Sequence, residues 1–174
     1  MKKSSRILVF TGDGKGKTTA ALGMALRAVG HDLPVCVVQF LKNDASVGEL
    51  LGLRRLGVEV HQMGLGFLPR QENPSWTDHQ AAAQNGLEKA RDIIASSRHS
   101  LVVLDEVCLA VAQGLLAQTD VIDAVRTARE DDCVVLTGRG ATAELIELAD
   151  TVTEMRPLKH GMDAGRCAQR GVEM

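Results

Sequence analysis

Four stretches of the chain are apolar at nearly every position: residues 7–10, 35–41, 101–104 and 133–136. Runs of that length without alternation read as strands covered on both faces, which is the pattern of a parallel sheet between helices. Residues 58–63 alternate like a strand and residues 151–155 add a short one, which brings the count to about six. Between them the apolar spacing turns helical. Ala21, Leu22, Ala25, Leu26 and Val29 predict a helix, with Gly30 where a left-handed C-terminal cap belongs. A short helix is expected over 47–56, and a long one announced by Thr77 with Gln80 three residues on, a capping-box spacing, running to about Ser97. Residues 107–130 read as helical with a break near Gly114 or Thr119, and residues 142–149 as a last helix. The expectation is one α/β domain over 1–174, a mostly parallel sheet of about six strands with helices on both faces. Residues 1–5 are polar and expected to be loose. Periodicity assigns no element to 156–174.

The first strand runs into Thr11-Gly12-Asp13-Gly14-Lys15-Gly16-Lys17-Thr18-Thr19 and then into the first helix. Glycines there free the backbone to wrap an anion, and the helix N-terminus adds about half a positive charge. Lys17 supplies a charge to phosphates and the Thr18 hydroxyl a ligand to a divalent ion. The general phosphate-loop pattern asks for Gly where this chain has Thr11. The alternative is a Gly-rich turn that binds nothing.

Composition narrows the classes. With 174 residues, 45% hydrophobic, and a net charge of −2, the chain has enough apolar material for a full core and no polyanion-binding surface. Three Phe, one Trp and no Tyr leave no stacking platform, so nothing favours nucleic acid. No run reaches the roughly 18 to 20 apolar residues that would cross a bilayer. Cys36, Cys108, Cys133 and Cys167 stand far apart with no C-x-x-C pair and no signal peptide ahead of them. They read as small buried thiols of a reducing, cytoplasmic protein rather than as metal ligands.

Three later features bear on the loop. The apolar strand 101–104 ends in Asp105-Glu106, and an acid at the tip of a neighbouring strand is the expected partner of Thr18 in a Mg²⁺ shell. The alternative has Asp105 capping the next helix and Glu106 facing water. Arg139, between Gly138 and Gly140 at another strand's carboxyl end, faces the crevice where open α/β sheets bind ligands, or else makes a plain salt bridge. Residues 64–75 form a loop longer than a connection needs, as a binding loop or lid would be. The basic tail, with Lys159, His160, Arg166 and Arg170, is either solvated or folded over the ligand edge. The residues alone support nucleoside triphosphate binding with Mg²⁺. They leave a P-loop ATPase, a small-molecule kinase and a nucleotide switch open.

Taken together, residues 10–21, 37–42, 101–106, 134–141 and 152–156 resemble the phosphate-loop type of ATP:corrinoid adenosyltransferase. So does the tail, Lys159-His160 to Asp163-Ala164-Gly165 and then Ala168-Gln169-Arg170-Gly171-Val172-Glu173. The strand end Thr137-Gly138-Arg139-Gly140-Ala141 and the tail are the specific parts, and Thr11 is what this family carries. The resemblance spans nearly the whole chain. It implies a RecA-like sheet in a homodimer, binding ATP with Mg²⁺ (or Mn²⁺) and acting on a reduced corrinoid supplied by a flavin-type reductant protein. The Co(I) centre would attack the ribose C5′ and inorganic triphosphate would leave. Lys17, Thr18 and Glu106 are then the expected catalytic residues. Thr11, Gly12, Asp13, Gly14, Lys15, Gly16, Lys17, Thr18, Thr19 and Arg139 would bind the nucleotide; Thr18, Asp105 and Glu106 the metal; and Phe67, Lys159 and His160 would lie on the corrinoid side. One loop departs from the pattern: where the family usually reads Gly-Phe-Thr-Trp, this chain reads Gly66-Phe67-Leu68-Pro69. Many members also carry an extension before the first strand, of which this chain has almost nothing.

Overall fold

The structure, a computed structural model, describes residues 5–161 and 165–172. The expectation for residues 1–4 and the family matches at Asp163, Ala164 and Glu173 lie outside the described residues. Six strands form one all-parallel sheet in the order β3-β2-β4-β5-β1-β6. They are β1 (Arg6–Thr11), β2 (Val35–Gln39), β3 (Glu59–Gln62), β4 (Leu101–Asp105), β5 (Cys133–Thr137) and β6 (Thr151–Glu154). The helices are α1 (Lys17–Val29), α2 (Gly48–Arg55), α3 (Trp76–Ser96), α4 (Val107–Ala112), α5 (Gln118–Val125) and α6 (Ala143–Leu148).

The unalternating runs have the reason expected of them. Along β2, β4 and β5 successive side chains enter two different cores. Val38, Leu104 and Leu136 pack on one face with Leu87 of α3, Val107 of α4, Val121 of α5 and Leu145 of α6. Val37, Val103 and Val135 pack on the other with Ala21 and Ala25 of α1 and Leu53 of α2. Both faces are dry, so the polar residues of these strands, Gln39, Asp105 and Thr137, are confined to their carboxyl ends. The break expected near Gly114 or Thr119 falls between α4 and α5.

Three local expectations fail. Gly30 is right-handed, with φ −63°, and the left-handed residue is Asp32, at φ 57°. The helix is followed by another turn, in which His31 and Leu33 N–H groups donate to the Ala28 carbonyl. Thr77 is not a cap: α3 begins one residue before it, and its hydroxyl turns back to donate to the Pro74 carbonyl at 3.1 Å. Leu26, placed on the buried stripe of α1 by spacing, is 57% exposed. Ala21 and Ala25 are the fully buried members of that stripe, with Leu22 and Val29 partly buried against the same core.

Every strand points its carboxyl end the same way, so the loop after β1 and the ends of β2, β4 and β5 share one edge. That edge is where a parallel sheet gathers a ligand site.

Candidate active site

The loop after β1 is shaped by close approach to the chain leaving β6. Gly14 N–H donates to the Met155 carbonyl at 2.7 Å. A Cβ on Gly12, which has φ +92°, would lie 2.5 Å from that same oxygen. No L side chain fits there, either sterically or by backbone conformation. Thr11 has a different task from the one expected. It is the last residue of β1, and its hydroxyl accepts the Ala141 N–H at 3.2 Å, tying the loop's base to the segment after β5. A glycine could not make that bond.

Lys17 opens α1 and folds back over the loop. Its ammonium donates to the carbonyls of Gly12 and Gly14, both at 2.7 Å. Burial holds its pKa below the ordinary value; Glu106 works against that shift and Arg139 with it. The amine is thus a charge held in a concave loop, where an incoming phosphate oxygen can replace the two carbonyls.

Next to it, Thr18 donates its hydroxyl proton to Asp105 Oδ1 at 2.7 Å. Asp105 is fully buried and saturated: Thr137 donates to Oδ1 at 2.9 Å, Gln39 to Oδ2 at 3.3 Å, and Lys42 stands 3.3 Å from Oδ2. Burial pulls the Lys42 pKa down, but Asp105 and Glu49 more than offset it, so it stays raised. Asp105 therefore does not cap α4. The residue at that cap position is Glu106, in left-handed conformation at φ 64°, with its N–H given to the Thr137 hydroxyl at 2.9 Å. Nor does Glu106 simply face water: its Oε2 is buried without a hydrogen-bond partner, and desolvation, then Asp105, push its pKa up.

These donors suit a hard divalent cation. Thr18 gives its proton to Asp105 and so keeps oxygen lone pairs for an ion, while Glu106 holds an unsatisfied buried carboxylate oxygen beside it. Asp105 is the orienting group rather than a free ligand, since its own oxygens are already taken.

A cavity of about 690 Å³ opens over the loop. Residues 13–19 and Arg139, expected at the nucleotide, line it, together with Glu106, expected at the metal. Lys42 and Glu49, not foreseen as site residues, complete one wall. Pro157, His160, Gly171 and Val172 of the tail close another, and Lys15 donates to the Val172 carbonyl at 3.3 Å. The tail thus lies over the ligand edge. Arg139 Nε stands 4.0 Å from Asp13 Oδ1 with both side chains mostly exposed, which leaves it available to phosphate. Thr11, Gly12 and Asp105 lie behind the cavity wall, as supports. Lys159 and Phe67 are outside it, and Phe67 is fully exposed on the loop after β3.

The family model for ATP:corrinoid adenosyltransferase BtuR/CobO/CobP matches residues 3–174. The chain belongs to this family. A corrinoid adenosyltransferase of Escherichia coli K12 is 43% identical over 96% of this chain and 84% of its own length. The Salmonella typhimurium corrinoid adenosyltransferase CobA is 42% identical over the same shares. Among solved structures, domain III of the Thermotoga maritima replication initiation protein DnaA aligns at TM-score 0.45 and 14% identity, over 90% of this chain and 56% of that one. The phosphate-loop reading rests on this chain's own sheet and loop. Family membership makes the chain a transferase that adenosylates a corrinoid with ATP as the donor.

Proposed function

We propose that the cavity over residues 13–19 holds ATP by its triphosphate, with a divalent cation at Thr18 and Glu106. In this reading the 5′-deoxyadenosyl group passes to the Co(I) centre of a reduced corrinoid. The observation that carries this is the buried Asp105 fixing the Thr18 hydroxyl at 2.7 Å beside the orphaned Glu106 oxygen.

In the step, the cobalt electron pair forms the Co–C5′ bond, the C5′–O5′ bond breaks, and its electrons leave on inorganic triphosphate. Negative charge grows on the departing oxygen, so the catalyst's task is to hold and neutralise triphosphate as it departs. Lys17 does so by exchanging the Gly12 and Gly14 carbonyls for phosphate oxygens. The loop N–H groups, Lys15 and Arg139 add fixed positive potential. Mg²⁺ (or Mn²⁺) adds charge neutralisation of the same phosphates when bound. No water has to be activated, so Glu106 serves as a cation ligand and not as a base.

The corrinoid lies toward Phe67 and the tail residues Lys159 and His160. A flavin-type protein as electron donor, a homodimer and a cytoplasmic location complete the reading. They rest on the family resemblance and on the reduced-cysteine character of the chain.

Incubation with ATP, Mg²⁺ and chemically reduced cob(I)alamin or cobinamide should give a light-sensitive Co–C bonded product. ATP consumption with an unchanged corrinoid spectrum would overturn the reading in favour of a hydrolase, with Glu106 positioning water.

A further inference from the structure

The amino end of the sheet, opposite the cavity, carries a second cluster of chemistry-bearing side chains. Cys36 on β2 is in register with Glu59 on the neighbouring edge strand β3, so their side chains share a face. The turn from α3 to β4 brings His99 onto the same face. A ring nitrogen of His99, Cys36 Sγ and a Glu59 oxygen lie within 4.8 Å of one another, the one such group among the described residues. His99 Nε2 is 3.0 Å from Glu59 Oε2, and His61 Nε2 is 2.6 Å from Glu59 Oε1.

A buried apolar thiol needs no such company. Cys36 is fully buried, His99 is 9% exposed, and His99 Nδ1 is buried with no hydrogen-bond partner. We propose that Cys36, Glu59 and His99 form a binding site for Zn²⁺ or a similar borderline divalent cation, clipping β2, edge strand β3 and the α3–β4 turn together. Thiolate, imidazole and carboxylate are the donors such an ion takes, and bond lengths near 2.0–2.3 Å put tetrahedral donors roughly 3.3–3.7 Å apart. His99 and Glu59 already stand 3.0 Å apart, and the donors that lie up to 4.8 Å apart must close by about 1 Å to reach that. On binding, the Cys36 S–H proton leaves to solvent and the sulfur keeps the bonding pair for the metal. Thiolate and carboxylate then cancel the two charges of the ion, so the site is neutral where it is buried. His61, on the other carboxylate oxygen, fixes the Glu59 orientation as an outer partner does. The fourth position opens beside Glu59, whose side chain is 43% exposed, and takes water.

The test uses the full chain with Cys167→Ser, which removes the exposed thiol, in excess Mg²⁺ to occupy the nucleotide edge. Competition with a chromophoric chelator should show one Zn²⁺ per chain and a raised Tm with Zn²⁺. Co²⁺ should give a thiolate-to-cobalt charge-transfer band. Glu59→Gln should weaken binding about tenfold or more, and Cys36→Ser should abolish the band. If Cys36→Ser does not fold, Glu59→Gln decides, because that side chain is partly exposed and lies on an edge strand. Zn²⁺ affinity unchanged by Glu59→Gln, or a cobalt complex without a thiolate band, would overturn the proposal.

Discussion

Two of the loops that leave the carboxyl edge of the sheet are finished to different degrees. In the loop after β1, Gly12 and Gly14 are pressed on Met155, Lys17 is held by two carbonyls, and Thr18 is held by Asp105. In residues 63–75 the base is anchored by Met63 N–H to the Gln39 carbonyl at 2.9 Å and Gly66 N–H to the Leu41 carbonyl at 2.8 Å, and farther on Leu68 packs against the core and the Gln71 amide donates to the Gln113 carbonyl at 3.0 Å. Between these anchors Leu65 and Phe67 turn apolar surface to water. Charge must be met by groups already in place, because reorienting dipoles at the moment of reaction costs free energy. A flat apolar ligand can instead be met by surface that is buried only on binding. On the proposed function, the loop after β1 is the nucleotide half, with its charges already in place, and residues 63–75 are the corrinoid half, whose exposed apolar side chains are covered by the substrate.

The largest effect should come from Lys17→Ala. Loss of one preorganised charge at a departing triphosphate is worth about 10²–10³ in kcat or more. Circular dichroism and thermal melts should stay near wild type, because the lysine's bonds to Gly12 and Gly14 span one local turn. Wild-type turnover in a folded Lys17→Ala protein would break the comparison at its stronger side.

Gly12→Ala tests the loop's shape. The left-handed backbone alone costs about 1–2 kcal/mol for an L residue, and the contact with Met155 adds to it. The expected outcome is a lower Tm together with weaker ATP binding, read by calorimetry. Phe67→Ala probes the other loop. It should raise the corrinoid KM roughly fivefold, about 1 kcal/mol, and leave Tm and the ATP KM unchanged. A raised ATP KM would place Phe67 on the wrong substrate.

The smallest effect is electrostatic. Burial raises the Glu106 carboxyl above its ordinary 4.5, so folding favours its protonated form. Its penalty is absent below about pH 4.5 and grows as pH rises through the elevated value. Glu106→Gln should therefore raise the Tm of the nucleotide-free protein at pH 7, with the gain fading as the pH falls from the elevated value toward 4.5, while activity drops. A lower Tm at pH 7 would contradict the desolvated carboxylate.

How far this arrangement could be read from the chain follows from what each residue answers to. Strands buried on both faces announce themselves, since every position of β2, β4 and β5 faces a core, and Lys17-Thr18 lies in one contiguous motif. Asp105's other partners do not. Gln39, inside one apolar run, and Thr137, just past another, are polar residues that only strand order brings to one carboxylate. Their presence in otherwise apolar strands was the available signal. Lys42 closed one of the segments that resemble the family, residues 37–42, but nothing in the sequence placed it at Asp105. The α3 cap was missed because three hydroxyl or amide residues, Asn73, Ser75 and Thr77, offered competing starts, and backbone geometry chose among them. Thr11 was legible as part of a family pattern, but its bond to Ala141 required β1 and β5 to be neighbours.

The most direct measurement is a single-turnover reaction with excess protein, followed by ³¹P NMR of the phosphorus products and spectrophotometry of the corrinoid. The account predicts one intact inorganic triphosphate for each Co–C bond formed. ADP and orthophosphate as the primary products, whatever happens to the corrinoid, would place the broken bond at phosphorus and contradict it.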